Sequence, residues 1–560
     1  MNTLKKDGRG IRFGVCLVLL LAGILAGCEN SFITGWYKRP EEKPGPEPVY
    51  QGTLKLKVLP IYGGNYELRG MRFTGADGQF VEARYIPSDA GSGQWGSDTP
   101  FSEPAEAEVF RVDGRSFYLP VGDEGAGNLV TLAIPIGGAD ELNAIRGGAE
   151  YPLNGRYIQV SDIDLASLPE WDPIGADEKP FSGKFDGGGY VIRNLQVTGS
   201  GGNSGDEDVR GLFGKIDEGS ALMDIHVKNG AVSGNTCVGG ICGKSFGDIF
   251  RCTFQGAVTG NTEVGGIVGM IGGAEVRECS FSGEVSGSGS IIGGIAGLTG
   301  NNAILRNCIN RGNVRGVSQI GGVAGHAGKG KSVYINCENS GEARGDMRIG
   351  GIVGEFSSDG EMIIAANNTG TVYGRSEIGG IAGLLSGSSI AASTNRGTVT
   401  AAVDTAGGIV GYNLNGGITA CYNTGKIESD GKAGGIIGNN EGEGSIAACY
   451  NNSPITGNGG TTGFHGWIIG DNHKGNSNFL YACYWYYDNH PTEINGVGTP
   501  PTRENAKPFG DGVELPADPW PTPDTHAEWG IWNGSNNGPW WKDLGAWDQT
   551  TPRFPTLYWE

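Results

Sequence analysis

The chain has 560 residues, 104 of them glycine, and a formal net charge of −20 at neutral pH. So much glycine without a Gly-X-Y period excludes collagen. The acidic balance argues against nucleic acid or an anionic lipid face as partner. The length leaves room for three or more structural units.

Residues 1–27 read as a leader. Lys5, Lys6, Arg9 and Arg12 form a basic stretch, followed by an apolar run from Phe13 to Leu25. That run is shorter than the ~20 residues a spanning helix needs. It ends in Leu25-Ala-Gly-Cys28, the form of a bacterial lipobox. Cleavage before Cys28 leaves that cysteine to carry lipid. Each buried CH₂ of an acyl chain stabilises membrane residence by ~0.8 kcal/mol. The expectation is an exported lipoprotein tethered at Cys28, palmitate-type, at the outer membrane or cell surface. Loss of the leader removes four basic groups and one acidic group, leaving 37 against 60, net −23.

Residues 28–50 are polar and proline-rich, with Arg39-Pro-Glu-Glu-Lys-Pro-Gly-Pro-Glu-Pro48, and read as a semi-rigid tether. From 51 to 136 the pattern alternates. Leu54-Lys-Leu-Lys-Val-Leu, Tyr66-Glu-Leu-Arg, Phe80-Val-Glu-Ala-Arg-Tyr, Val109-Phe-Arg-Val and Leu129-Val-Thr-Leu-Ala-Ile-Pro-Ile136 are separated by turn-rich gaps. This predicts a small β-sandwich. Ala139-Asp-Glu-Leu-Asn-Ala-Ile-Arg146 is the one clear helix, stopped by Gly147-Gly148. It reads as a plug over the open end of a stack of strands.

The middle of the chain is a repeat. Val238-Gly-Gly-Ile-Cys-Gly243 recurs in eight copies, about every 28 residues, at 264–269, 292–297, 320–325, 349–354, 378–383, 406–411 and 433–438. A degenerate ninth copy, Gly211-Leu-Phe-Gly214, precedes them. With Cys252 as position zero, the column continues through Cys279, Cys308, Cys337, Ala366, Ser393, Cys421 and Cys449. Three residues earlier an apolar residue recurs (Ile249 to Ile446). Four residues later comes glycine, and six residues later an apolar residue again (Val258 to Ile455). Units this small bury their cores only by stacking. Three short strands per period describe a right-handed parallel β-helix of about nine to ten rungs over 137–470. Equivalent residues then lie ~4.8 Å apart in columns. The odd spacing from −3 to zero demands a bend or bulge that the sequence does not place.

From 471 to 560 the repeat stops and nine of the twelve tryptophans gather from Trp467 onward. This stretch is expected to be an aromatic-rich C-terminal cap. Its tryptophans read as a hydrophobic lid on the open end of the solenoid. Trp540 and Trp541, beside Asn533, Ser535 and Asn536, are the sugar-stacking candidates.

The Gly-Gly-Ile-Val/Ala-Gly phrase, the Asn-Cys…Gly-x-Val phrase after it and the Trp171-x-Pro-Ile-Gly…Phe-x-Gly-x-Phe-Asp-Gly opening resemble the GLUG-motif repeat proteins. These are bacterial surface and secreted proteins. The same repeat occurs in large adhesins and in accessory regions of immunoglobulin-A-cleaving metalloproteases. The resemblance spans roughly 137–470 and the terminal Pro-x-Leu-x-Trp. It implies a β-helical, surface-exposed, adhesive or glycan-facing module. It carries over no catalytic residue.

Chemistry is sought in the cysteines first. Six of them, Cys252, Cys279, Cys308, Cys337, Cys421 and Cys449, share position zero with Ala366 and Ser393. A site that also accepts alanine reads as a buried small side chain, so a thiol ladder is expected in preference to disulfides. No CxxC pair or interleaved histidine marks a metal site. Gly325-His-Ala-Gly-Lys-Gly-Lys-Ser332 has the Walker A spelling, yet Val333-Tyr-Ile-Asn-Cys337 after it is strand, not helix, so it reads as coincidence. No His-Glu-x-x-His occurs. Acidic residues such as Glu263, Asp346, Glu377 and Asp404 vary from rung to rung and read as scattered surface charge. Asp162, Asp164, Glu178 and Asp186 read as turn residues.

The sequence therefore predicts a mainly β, lipid-anchored envelope protein without cofactor or nucleic-acid partner, acting as a non-catalytic adhesion or glycan-contact module. An envelope polysaccharide-processing enzyme and a purely structural spacer are the competing readings. An enzyme of this kind needs carboxylates within ~5–10 Å in one groove.

Overall fold

A computed structural model describes residues 133–148, 150–168, 170–198, 208–442, 444–457 and 465–472 throughout, further strands on either side, and 556–560. Cys28, the leader and the tether lie outside the described residues. The chain divides into two units, 1–135 and 136–560.

The first unit contains β1 (Leu54–Lys57), β2 (Leu68–Gly75), β3 (Phe80–Ile86), β4 (Gln94–Ser97), β5 (Pro104–Arg111), β6 (Ser116–Pro120) and β7 (Leu129–Thr131). They join in the order β6-β5-β2-β3-β4-β1-β7. The first half of β3 pairs with β2 and its second half with β4. The hydrogen-bond ladder is therefore continuous, where the sequence suggested two separate sheets. A strand shared in this way is how one layer passes into another.

The second unit is a parallel β-solenoid of about 11 turns, and the chain is 56% strand and 2% helix. Its three long sheets have 13, 20 and 19 strands. One coil runs Asp248–Phe250 in the first sheet, Thr253–Gly260 in the second, then Thr262–Gly265 and Val268–Gly272 in the third. Nine to ten rungs were expected from the motif copies. Coils also form where the motif has decayed, beginning at Ile134–Ile136 and Arg156–Gln159. Leu480–Tyr481, Cys483–Tyr486, Asn495–Val497 and Ala506–Phe509 extend the three sheets beyond residue 470.

The missing bend is at position −1. Arg251, Glu278, Asn307, Asn336, Ala365, Ala392, Ala420 and Ala448 all have φ between 48° and 57°, the left-handed region. This single reversal turns the first sheet into the second, and it explains the odd spacing. The residue at zero stabilises the turn. Each thiol donates to the carbonyl two residues back, as Cys252 to Phe250 (3.3 Å) and Cys421 to Thr419 (3.3 Å), and Ser393 does the same to Ala391 (2.9 Å). A buried carbonyl left unpaired is costly, so a small donor suits this position.

Two residues after zero lies a column that the apolar pattern does not mark. Asn310, Asn339, Asn368, Asn395, Asn423 and Asn451 are all buried. Each Nδ2 donates to the Oδ1 of the next, at 2.8–2.9 Å. The same amides clamp the peptide of the glycine two residues on, as Asn368 does Gly370. Above the ladder the column holds Phe254 and Phe281, stacked at 6.2 Å, and below it Trp485.

The second glycine of each Gly-Gly pair faces this column from the third sheet. A Cβ on Gly351 would lie 2.1 Å from the Gly380 carbonyl oxygen and 2.3 Å from Asn368 Cγ. A Cβ on Gly322 would lie 2.3 Å from Asn339 Cγ, and one on Gly408 would lie 2.6 Å from Asn423 Cγ. The motif glycines are thus fixed by close approach of two walls of a narrow core.

At the N-terminal end, helix α1 (Ala139–Asn143) is shorter than the predicted 139–146. Residue 144 caps it, and Leu142 and Ile145 are buried. Tyr157, Phe181, Phe185 and Phe213 fill the first coils with ring centroids 5.2–6.4 Å apart.

The described residues at the C-terminus, 541–543 and 556–560, lie against the side of the solenoid, several coils back from its last strands, and most of the expected aromatic cap lies outside the described residues. Trp541–Asp543 pairs antiparallel with Thr556–Leu557. Trp559 Nε1 donates to the Ala392 carbonyl (2.8 Å), and Glu560 is held by Arg396 and Tyr422. Trp541 is fully buried against Tyr450, which stacks on Tyr422 at 4.8 Å.

One interior group gives a pH signature. Glu361 is buried inside the solenoid, where its carboxyl accepts from Ser358 N (3.0 Å) and, at the hydrogen-bond limit, from Ser388 Oγ (3.5 Å). Burial pushes its pKa up to about 8 from the ordinary 4.5. The folded chain then keeps a proton that the unfolded chain has released. Its contribution is favourable below about pH 4.5 and is lost as pH rises toward 8. Glu361→Gln is expected to melt alongside the parent at acid pH and at progressively higher temperature than the parent through that window. Parallel melting curves at every pH would remove Glu361 as the cause.

Candidate functional site

The third sheet has two outward columns that flank the motif. One is the residue just before it: Cys237, Glu263, Ile291, Gln319, Arg348 and Glu377. All six have φ between 49° and 68°, a second left-handed bend that turns each side chain away from the core. The other column lies just after the last motif glycine: Lys244, Met270, Leu298, His326, Glu355, Leu384, Tyr412, Asn439 and Asp471, in continuous parallel register.

Over the coils from Gln319 to Glu441 the two columns lock together. Arg348 Nη1 donates to Glu355 Oε2 (2.6 Å) and Arg348 Nε to Glu377 Oε2 (3.0 Å). Gln319 Nε2 donates to the same Glu355 oxygen (2.8 Å). Ser376 Oγ donates to Asp404 Oδ2 (2.9 Å), and the Tyr412 hydroxyl bonds Glu441. The Lys432–Asp471 ion pair (2.9 Å) closes the row.

The electrostatics differ between the two central carboxylates. Burial works to raise Glu355, yet the hydrogen bonds from Gln319 and Arg348 outweigh it and hold the group below its ordinary range. Burial lifts Glu377 above that range despite Arg348, with Asp404 and Glu355 adding to the rise. His326, next to Glu355 in the column, is lowered by burial. Its Nδ1 has no partner among the described residues.

The sequence singled out Glu377 and Asp404 only as scattered charge, and His326 only within the Walker spelling. Gln319, Arg348 and Glu355 were missed. Reading the residue before and the residue after each motif copy as two vertical columns would have assembled the row.

The cysteines, the tryptophans and the Walker spelling lie elsewhere. Cys252, Cys279, Cys308, Cys337, Cys421 and Cys449 stand in one buried column with free thiols, and Cys483 extends it by one coil. Cys483 was missed because its spacing from Cys449 exceeds the repeat. Burial raises Cys279, Cys308 and Cys421 well above the ordinary thiol range, which keeps these three thiols protonated and unreactive. Trp541 is corrected: it is fully buried, so its ring offers no sugar face. Trp540 lies outside the described residues. The Walker spelling runs from the strand Ala324–Ala327 to the strand Val333–Ile335, with Ser332 buried, and no phosphate-facing helix comes after it. Among the described residues no group of three or more His, Cys, Asp or Glu is placed to hold a metal. No helix of these residues is long and apolar enough to cross a membrane.

Comparison with known proteins gives a class. Residues 405–428 match the GLUG motif. This stretch covers a Gly-Gly-Ile-Val-Gly phrase, the left-handed Ala420 and the Asn423 clamp. The chain carries a GLUG motif within a parallel β-solenoid. It is 34% identical over 108 residues to Halomucin of Haloquadratum walsbyi, which is 17% of this chain and 1% of that protein. The chain thus spans only a small fraction of the curated relative it matches. Among solved structures, a candidate immunoglobulin A1 protease from Bacteroides ovatus is similar at 18% identity and a TM-score of 0.32, covering 61% of this chain and 84% of that one. An IgA1 protease is similar at 13% identity and a TM-score of 0.32, covering 73% and 29%.

Proposed function

We propose that the chain is a bacterial cell-surface protein, lipid-anchored at Cys28, whose solenoid is a non-catalytic contact surface for glycans or host matrix. The observation that carries this reading is the vertical repetition of outward positions along an unbroken 19-stranded sheet. Such columns multiply weak contacts into avidity. The GLUG match and the Leu25-Ala-Gly-Cys28 sequence support it.

The test uses the full chain expressed in a bacterial host fed an alkynyl fatty acid. Label is expected on the parent and absent from Cys28→Ser. The purified parent is expected to retain glycans or matrix proteins from an immobilised panel. An unlabelled parent removes the anchor, and retention of nothing favours the spacer.

One observation favours the enzymatic alternative. Glu355 and Glu377 share a guanidinium while their pKa values are driven in opposite directions, the divergence expected of an acid and its partner carboxylate. Against it, the same guanidinium favours both charged forms. Turnover of any panel glycan would decide for the enzyme.

A further inference from the structure

We propose that the outer face of the third sheet, from Gln319 to Asn439, is a binding site for a neutral, hydroxyl-rich glycan chain lying along the solenoid axis. This rests on the contact-surface reading above and gives it a place and a ligand class.

The first argument is that the fold does not require these residues. Both columns accept apolar side chains: Ile291, Met270 and Leu298 outside this stretch, and Leu384 within it. A row of half-buried charges costs desolvation that an aliphatic side chain avoids. Its concentration in a few successive coils therefore marks a use beyond stacking.

The second argument is unspent hydrogen-bonding capacity on the same face. Asn439 is 3% exposed and its Oδ1 has no partner among the described residues. It stands directly beside Tyr412 in the column. The buried His326 Nδ1 is likewise unpartnered there. Of the five N–H donors of a guanidinium, Arg348 commits two to Glu355 and Glu377. Acceptors and donors held rigidly beside a Tyr412 ring suit sugar hydroxyls and a sugar C–H face. The ~4.8 Å rise per coil places such groups at intervals comparable with single sugar rings.

The third argument selects neutral sugar over a basic peptide. Arg348 already bonds both Glu355 and Glu377, so a lysine or arginine of a partner would have to displace it. A hydroxyl donates to the free lone pairs without doing so.

The experiment measures binding of the full chain to an array of neutral β-glucan, xylan, mannan and N-acetylhexosamine oligosaccharides, at low and high salt. The site variant uses residues the columns already contain: Arg348→Ile, Glu355→Leu and Glu377→Ile together, with Tyr412→Leu tested separately. A control variant, Lys244→Met with Glu263→Ile, changes the same columns outside the site. Binding at least tenfold weaker in both site variants, unchanged in the control and insensitive to salt, is the expected result. Unchanged binding by the site variants overturns the site and leaves the contact-surface reading standing. Equal loss in the control also overturns it. Retention of matrix proteins but no oligosaccharide overturns the ligand class, as does a salt-sensitive preference for an oligolysine probe. A parent that retains neither sugars nor matrix proteins overturns both proposals.

Discussion

Asn368→Ala is expected to destabilise the chain by ~2–6 kcal/mol and to open the coils around it first. The side chain makes four hydrogen bonds. It donates to Gly370 O (2.9 Å) and Asn395 Oδ1 (2.8 Å), and it accepts from Gly370 N (3.2 Å) and Asn339 Nδ2 (2.8 Å). Alanine leaves the Gly370 carbonyl and one Asn339 N–H without partners, each costing ~1–3 kcal/mol, while Gly370 N keeps Asn339 O and Asn395 Oδ1 keeps Gly397 N. A solenoid unfolds by neighbouring units, so the damage should spread along the axis. Hydrogen exchange of the amides from 339 to 397, beside denaturant melting, measures it. Asn310→Phe is the matched control. It extends the Phe254–Phe281 stack by one coil at the ladder's end and is expected to cost far less. Equal losses in the two variants would show that the ladder's hydrogen bonds do not hold the coils.

Gly351→Ala is expected to prevent folding of the central coils altogether. The added methyl meets the Gly380 carbonyl oxygen at 2.1 Å and Asn368 Cγ at 2.3 Å. Neither can retreat, since one is ladder backbone and the other is fixed by its four bonds. Overpacking that meets backbone exceeds the ~1–3 kcal/mol typical of extra methylenes. Gly148→Ala, where nothing lies within 4 Å, should be silent. Soluble yield and far-ultraviolet circular dichroism of the two variants separate the outcomes. A folded Gly351→Ala chain would mean that the two walls can part.

The architecture was legible because the repeat constrains every coil. Once 28-residue periodicity places Ile249, Cys252 and Val258 in separate columns, burial alone requires them to stack. The decayed coils at both ends were less legible. Arg156–Gln159 and Cys483–Tyr486 join the same sheets because an open solenoid end captures any strand with unpaired edge groups. The asparagine ladder was in plain view at position +2. It escaped notice because an apolar pattern counts asparagine as a turn residue, and its burial depends on the neighbour above and below.

The outward row was least legible. Gln319, Arg348 and Glu355 are ordinary charged and polar residues in sequence, 29 and 7 positions apart. They meet because left-handed bends turn one column outward and the next coil sets the other beside it.

The amino-acid sequence by itself determined the solenoid, its period and the glycines at its closest contacts, since each is a requirement of one coil repeated. Only the tertiary structure decided which outward side chains touch, that Trp541 is buried, and that the C-terminus lies along the side of the coils. Those outcomes depend on residues many coils apart, and no local pattern encodes a distance that only folding creates.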